Sequence, residues 1–135
     1  MKIHICADME GTCGVYSWMQ VTPPETPWSA PIKESEYDRC RLRMTHEVSA
    51  AARGAFAGGA TSILVNDFHG GNRNIFIDEL DDRCRLVSGG AGPMNFLQGM
   101  ADDTAGLFYT GFHSKAGTVS SALAHTWSTN LNDLR

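Results

Sequence analysis

KIHICADMEG, residues 2–11, is the stretch that decides the fold of this chain and the place of its chemistry. Lys2 to Ala7 reads as a short buried strand, ended by the turn Asp8-Met9-Glu10-Gly11. Asp8 and Glu10 are two residues apart, so while the chain stays extended both side chains point to one face, about 7 Å apart along it. Two carboxylates at a partly buried strand end repel and lose hydration unless a cation or a shared proton compensates. An acidic pair in this position asks for positive charge.

Outward from that strand the pattern repeats. From Glu34 to Ala57, Tyr37, Cys40, Met44, Val48, Ala51, Ala52 and Ala55 fall on one helical stripe, and Gly58-Gly59 ends it. Thr61 to Asn66 (TSILVN) reads as a second buried strand, followed by the loop Asp67-Phe68-His69-Gly70-Gly71. Arg83 to Ser88 is a third, leading into a Gly-rich turn and a short helix near Met94 to Met100. Leu107 to Gly111 is a fourth, ending in Phe112-His113, and Ala122 to Trp127 is a candidate fifth. Gly14 to Lys33 carries Pro23, Pro24, Pro27 and Pro31 with Trp18 and Trp28, which excludes regular helix or central strand. It reads as an extended loop, a lid or an interface segment. Strands alternating with helices predict an α/β fold: a three-layer αβα arrangement with a mostly parallel sheet. Ligands of such sheets bind outside the carboxyl ends of the strands.

The bulk numbers narrow the setting. A chain of 135 residues, 42% hydrophobic and 19% charged, fits a single globular domain, residues 1–135. Its formal charge of −4 offers no basic footprint, so no nucleic-acid partner is expected. Cys6, Cys13, Cys40 and Cys84 lack zinc-knuckle spacing and are too sparse for a disulfide scaffold, so they read as reduced thiols. There is neither a secretory signal pattern nor a run of about 20 apolar residues. The expectation is a soluble, cytoplasmic protein without a membrane partner.

Three strand ends carry good metal ligands: Asp8 and Glu10 on the first, His69 on the second, His113 on the fourth. In a parallel sheet these ends lie along one edge, so residues distant in sequence converge. Each residue alone has an ordinary explanation, a turn cap, a lysine partner or a structural histidine; the coincidence at one edge is the signal. Oxygen and imidazole ligands together suit zinc, and manganese or iron less specifically. Asp67 is open to two readings, orienting the His69 imidazole or shaping its turn. His125 is open too, as a core residue or as an acid, base or oxyanion stabiliser at the pocket. His46 reads as solvated and His4 as packed or at an edge. Gly89-Gly90-Ala91-Gly92-Pro93 matches no phosphate-loop fingerprint and reads as a tight turn. No local signature supports Cys6 or Cys13 as a nucleophile, and Ser120-Ser121 lacks a nucleophile elbow.

Ala7-Asp8-Met9-Glu10-Gly11 resembles the S-x-D-x-E-G opening of the D-aminopeptidase family, the M55 metallopeptidases. The likeness continues in order through Leu64-Val65-Asn66-Asp67-Phe68-His69, Val87-Ser88-Gly89, the segment from Leu107 to His113, and Ala124-His125-Thr126. The resemblance implies two zinc ions per complete site and removal of N-terminal D-residues from short peptides. Asp8 would bridge the metals, Glu10 and His69 complete one side, His113 serve the other, and His125 act in catalysis. It also implies ring-like homo-oligomers whose chambers admit short peptide substrates. In the family a further glutamate, from a G-E segment downstream of the His125 position, completes the second metal. Here Asn132-Asp133-Leu134-Arg135 ends the sequence before that segment, and the family's smaller C-terminal domain has no counterpart. The expectation is therefore the N-terminal part of a longer two-domain protein, with one metal position intact, the other depleted, and activity reduced. Two further readings stay open on the residues alone: another metal-dependent amidase or phosphoesterase, and a non-catalytic α/β module that binds partners through the Pro/Trp loop.

Overall fold

A computed structural model describes residues 1–24, 35–90 and 92–126. Strands β1 (Lys2–Ala7), β2 (Ser62–Asp67), β3 (Cys84–Val87) and β4 (Thr104–Thr110) form one all-parallel sheet in the order β3-β2-β1-β4. Alternation along β1 sends Ile3, Ile5 and Ala7 to one face, and the register opposite Ile63 and Val65 gathers the apolar side chains of β2 beside them. Helix α2 (Glu36–Ala57) lays Cys40, Met44, Val48 and Ala52 across that face, all buried. Met44 and Val48 each contribute roughly 1.5–3 kcal/mol by leaving water. The Ser35 side chain caps the helix by accepting from the Asp38 amide (3.1 Å), with Glu36 and Asp38 in its first turn. Gly58 and Gly59 end it, the latter at φ +95°.

His4 and Cys6 of β1 point to the opposite face. There His4 Nε2 donates to the Phe96 carbonyl (2.9 Å), from a 3₁₀ turn at Asn95–Leu97. The sheet is thus flanked on both faces, an αβα arrangement whose second outer layer is thin. His4 is packed, as one of its two expected placements had it, with Nδ1 unpartnered among the described residues.

The α/β expectation with a parallel sheet holds; three local expectations change. The Pro-rich segment does contain helix: Ser17 and Gln20 make a reciprocal capping box that starts the four-residue helix α1 (Trp18–Val21), ahead of Pro23. Pro27, Trp28 and Pro31 lie outside the described residues. The helix expected near Met94 to Met100 shrinks to the 3₁₀ turn, because Pro93 precedes it and Asn95 and Gly99 take positive φ (51° and 80°). No strand forms over residues 122–126, where Leu123 sits at φ +49°, incompatible with extended pairing; Trp127 lies outside the described residues. Among the described residues no helix is long and apolar enough to cross a membrane.

The strand order explains the position of the site. From β1 the chain builds β2 and β3 to one side, then returns to place β4 on the other. The crevice at the carboxyl ends of β1 and β4 is the topological switch point, where doubly wound sheets bind ligands.

Candidate metal centre

Two glycines let the loops at the switch point touch. The Asp8 amide donates to the Thr110 carbonyl (2.9 Å) and the Gly11 amide to the Gly111 carbonyl (2.7 Å), zipping the turn after β1 to the end of β4. A Cβ at Gly11 would lie 2.1 Å from the Phe112 carbonyl oxygen. One at Gly111, where φ is +66°, would lie 2.1 Å from the Asp8 carbonyl oxygen. Only glycine allows this approach. It sets His113 against the acidic pair.

The chain does not stay extended through Met9: it bends there, so the two carboxylates converge rather than standing apart along a strand. Asp8 Oδ1 and Glu10 Oε2 lie 3.1 and 3.0 Å from one nitrogen, His69 Nδ1. The other oxygens face two more imidazoles, Asp8 Oδ2 at 3.5 Å from His113 Nε2 and Glu10 Oε1 at 3.7 Å from His125 Nε2. Asp8, Glu10 and His69 are buried; His113 and His125 are half-buried. Asp8, Glu10 and His69 form one set of ligand atoms within 4.8 Å of one another, and Glu10, His113 and His125 form a second.

Each imidazole is pinned from behind. His69 Nε2–H donates to the Val21 carbonyl (2.6 Å), His113 Nδ1–H to Ser114 (2.9 Å), and His125 Nδ1–H to Leu123 (2.7 Å). These bonds spend one ring N–H on the backbone and leave the other nitrogen aimed at the carboxylates, the arrangement that fixes tautomer and direction in metal-binding histidines. The rings of His113 and His125 stack at 3.6 Å with 16° between planes, and Trp18 meets His125 edge-on at 5.2 Å.

The electrostatics show what the cluster lacks. Burial and the nearby Glu10 charge raise the pKa of Asp8, against the opposing pull of His69. Burial would raise Glu10 too, but the hydrogen bond and charge of His69 outweigh it and hold Glu10 at about 2. Burial would lower His69, yet its bonds to Asp8 and Glu10 dominate and lift it to about 10. The carboxylates thus draw a proton onto His69 to supply the missing positive charge. A divalent cation supplies it better, and the oxygen and nitrogen donors present fit zinc.

Above the cluster lies a cleft of about 700 Å³, with Trp18, Val21, Phe68, Phe96 and Phe112 as apolar wall and Lys115 at its edge. A family model for the D-aminopeptidases, peptidase family M55, matches residues 1–135. The chain belongs to that family. It is similar to a D-aminopeptidase of Bacillus subtilis (strain 168), 32% identical over 118 residues, which are 87% of this chain and 40% of that protein. It is also similar to the solved structure of the zinc-dependent D-aminopeptidase DppA from Bacillus subtilis, a self-compartmentalizing protease. That match has a TM-score of 0.82 at 29% identity and covers 96% of this chain and 43% of that one. The chain therefore spans about two fifths of the length of these D-aminopeptidases.

The five residues singled out from sequence, Asp8, Glu10, His69, His113 and His125, meet in one cluster. His46 is exposed and lies 3.4 Å from Glu79. Among the described residues Asp67 hydrogen-bonds no imidazole; it shapes the His69 loop by accepting from Asn74 and Ile75. Burial pushes the Cys6 thiol up to about 12, with Asp8 and Asp67 adding to it, which disarms it as a nucleophile. Sequence reading passed over the parts played by Val21, Trp18, Asn74 and the glycine pair. Gly11 and Gly111, each closing a ligand loop, carried a signal; a backbone carbonyl such as that of Val21 carries none.

Proposed function

We propose that Asp8, Glu10, His69 and His113 are the zinc ligands this chain supplies to a centre that, when complete, would hold two ions and remove the N-terminal D-residue from short peptides. Asp8 would be shared between the two positions, since its two oxygens face His69 and His113 separately. Glu10 and His69 would hold zinc at one position, and His113 would contribute to the other. The observation that carries the reading is the set of three imidazoles, each locked to a backbone carbonyl with its free nitrogen aimed at two buried carboxylates. When bound, zinc lowers the pKa of water and polarises a carbonyl, the two demands of amide hydrolysis near neutral pH.

The chain's own residues do the rest. His125 Nε2 faces the cleft while its ring is held by Leu123, His113 and Trp18. From there it takes the proton of the attacking water and returns it to the departing amine. Glu10, 3.7 Å away, stabilises the imidazolium in between. The aromatic wall of the cleft excludes bulk water and strengthens these charges. Assembly into a homo-oligomer, and a place for residues 1–135 as the N-terminal domain of a longer protein, belong to the same reading.

The test is a panel of D-alanyl and L-alanyl peptides and amides beside phosphoesters, with the 135-residue chain and added zinc. Zinc-dependent release of D-alanine supports the reading. Phosphatase activity alone overturns it.

A further inference from the structure

Behind the ligand cluster lies a second buried polar group that the chemistry above does not use. Asp67, the last residue of β2, is fully buried, and among the described residues no cation pairs with it. Its carboxylate accepts three N–H bonds, from the Asn74 amide (2.5 Å), the Ile75 amide (2.8 Å) and Asn74 Nδ2 (2.8 Å). Asn74, 1% exposed, uses both its side-chain N–H groups and its carbonyl oxygen. Besides Asp67, Nδ2 donates to the His69 carbonyl (2.5 Å), and Oδ1 accepts from the Tyr37 hydroxyl (2.6 Å). Arg41 of α2 closes the group by donating to the Asn74 and Arg73 carbonyls (3.1 and 3.0 Å).

These bonds converge on the turn that carries His69. Gly70 and Asn72 both have positive φ, 50° and 57°. Glycine and asparagine both tolerate the left-handed region, so the residue types of the turn suit its shape while the bonds fix its position. Apart from the two carboxylates, the His69 imidazole is tethered among the described residues by the Val21 carbonyl. The depth of its Nδ1 against Asp8 and Glu10 is therefore set by the main chain, which Asn74 grips at the His69 carbonyl.

We propose that Asn74 is the positioning residue for His69, transmitting the hold of Asp67 and Tyr37 to the one imidazole that meets both carboxylates. A fully satisfied buried network of this kind specifies a single arrangement, where apolar packing would hold the loop without fixing its register. The inference rests on His69 being a metal ligand, and its test separates the two ideas.

Zinc affinity is measured by chelator competition on the 135-residue chain and on Asn74→Ala, Tyr37→Phe and Ser49→Ala, each alongside the metal-free thermal midpoint. Ser49 bonds the Glu79 carbonyl and the Asp81 amide (both 3.1 Å), remote from His69, so it reports structural loss alone. Asn74→Ala is expected to bind zinc about 10- to 100-fold more weakly. Tyr37→Phe should show a smaller loss in the same direction, and it keeps the test open if Asn74→Ala does not fold. Ser49→Ala should lower the midpoint and leave affinity within about twofold, the scale of an uncoupled site. Parent-like affinity in both Asn74→Ala and Tyr37→Phe, or losses that merely track the midpoint in all variants, overturns the proposal. If the parent itself fails to bind zinc, the metal reading fails, and the His69 ring resonance in the metal-free chain decides the positioning role. Its shift or broadening in Tyr37→Phe supports the role, and a parent-like resonance overturns it.

Discussion

Replacing Gly11 by alanine tests the contact that assembles the site. The added Cβ would lie 2.1 Å from the Phe112 carbonyl oxygen, 2.7 Å from its carbon and 2.8 Å from the Gly111 carbonyl carbon. All three are backbone atoms, so no side chain can swing away. The loops after β1 and β4 must separate by about 1 Å to relieve the contact. That separation breaks the 2.7 Å bond from the Gly11 amide to the Gly111 carbonyl. Overpacking costs about 1–3 kcal/mol and the lost bond about 1 kcal/mol, so Gly11→Ala should destabilise by about 2–4 kcal/mol. Gly54→Ala is the internal control: it lies in α2 with no atom within 4 Å of its Cβ, and helix propensity alone should stabilise the chain by about 0.5–1 kcal/mol. Urea denaturation of the metal-free chain measures both. The same chemical change should give opposite signs. Stability of Gly11→Ala within about 0.5 kcal/mol of the parent, the range of ordinary surface changes, would refute the close-approach argument.

Three further outcomes are expected. In the metal-free chain His69 is protonated near neutral pH because its pKa is lifted to about 10, while ligation needs Nδ1 free. Zinc binding should therefore release about one proton and strengthen about tenfold per pH unit below that pKa, as calorimetry in buffers of different ionisation enthalpy can read; an affinity flat with pH would contradict it. His125→Asn should retain bound zinc while the turnover of D-alanyl peptides falls about 10²- to 10⁴-fold, the usual share of a general acid or base. Loss of metal and turnover together would move His125 into the ligand set. Alkylation of the native chain near neutral pH should label exposed Cys13 and spare Cys6, whose thiol is pushed up to about 12, as peptide mapping would show.

The architecture was legible because its signals are periodic. β1 announces itself in a run of six residues, and α2 in the stripe from Tyr37 to Ala55. The candidate site residues were legible for a related reason: a parallel sheet aligns its strand ends, so Asp8, His69 and His113 could be grouped without knowing the loops. What escaped lay in the backbone conformation of those loops. The bend at Met9 brings Glu10 onto His69, and positive φ at Leu123 replaces the expected last strand by a turn that turns His125 to Glu10. Hydrogen bonds to carbonyls, such as Val21 to His69, depend on tertiary approach and leave no mark on residue identity. Asp67 shows the same limit. Its spacing from His69 left two readings open, orienting the imidazole or shaping the turn, and its bonds run to the turn through Asn74.

The central claim is that two buried carboxylates and the imidazoles around them form a zinc centre. Zinc titration of the purified chain beside Asp8→Asn, followed by calorimetry with metal analysis of the gel-filtered product, tests it most directly. The parent should take up zinc with retention through filtration, and Asp8→Asn, which removes charge from the carboxylate facing both His69 and His113, should lose it. Zinc retained equally by the two proteins, or by neither, would contradict the account.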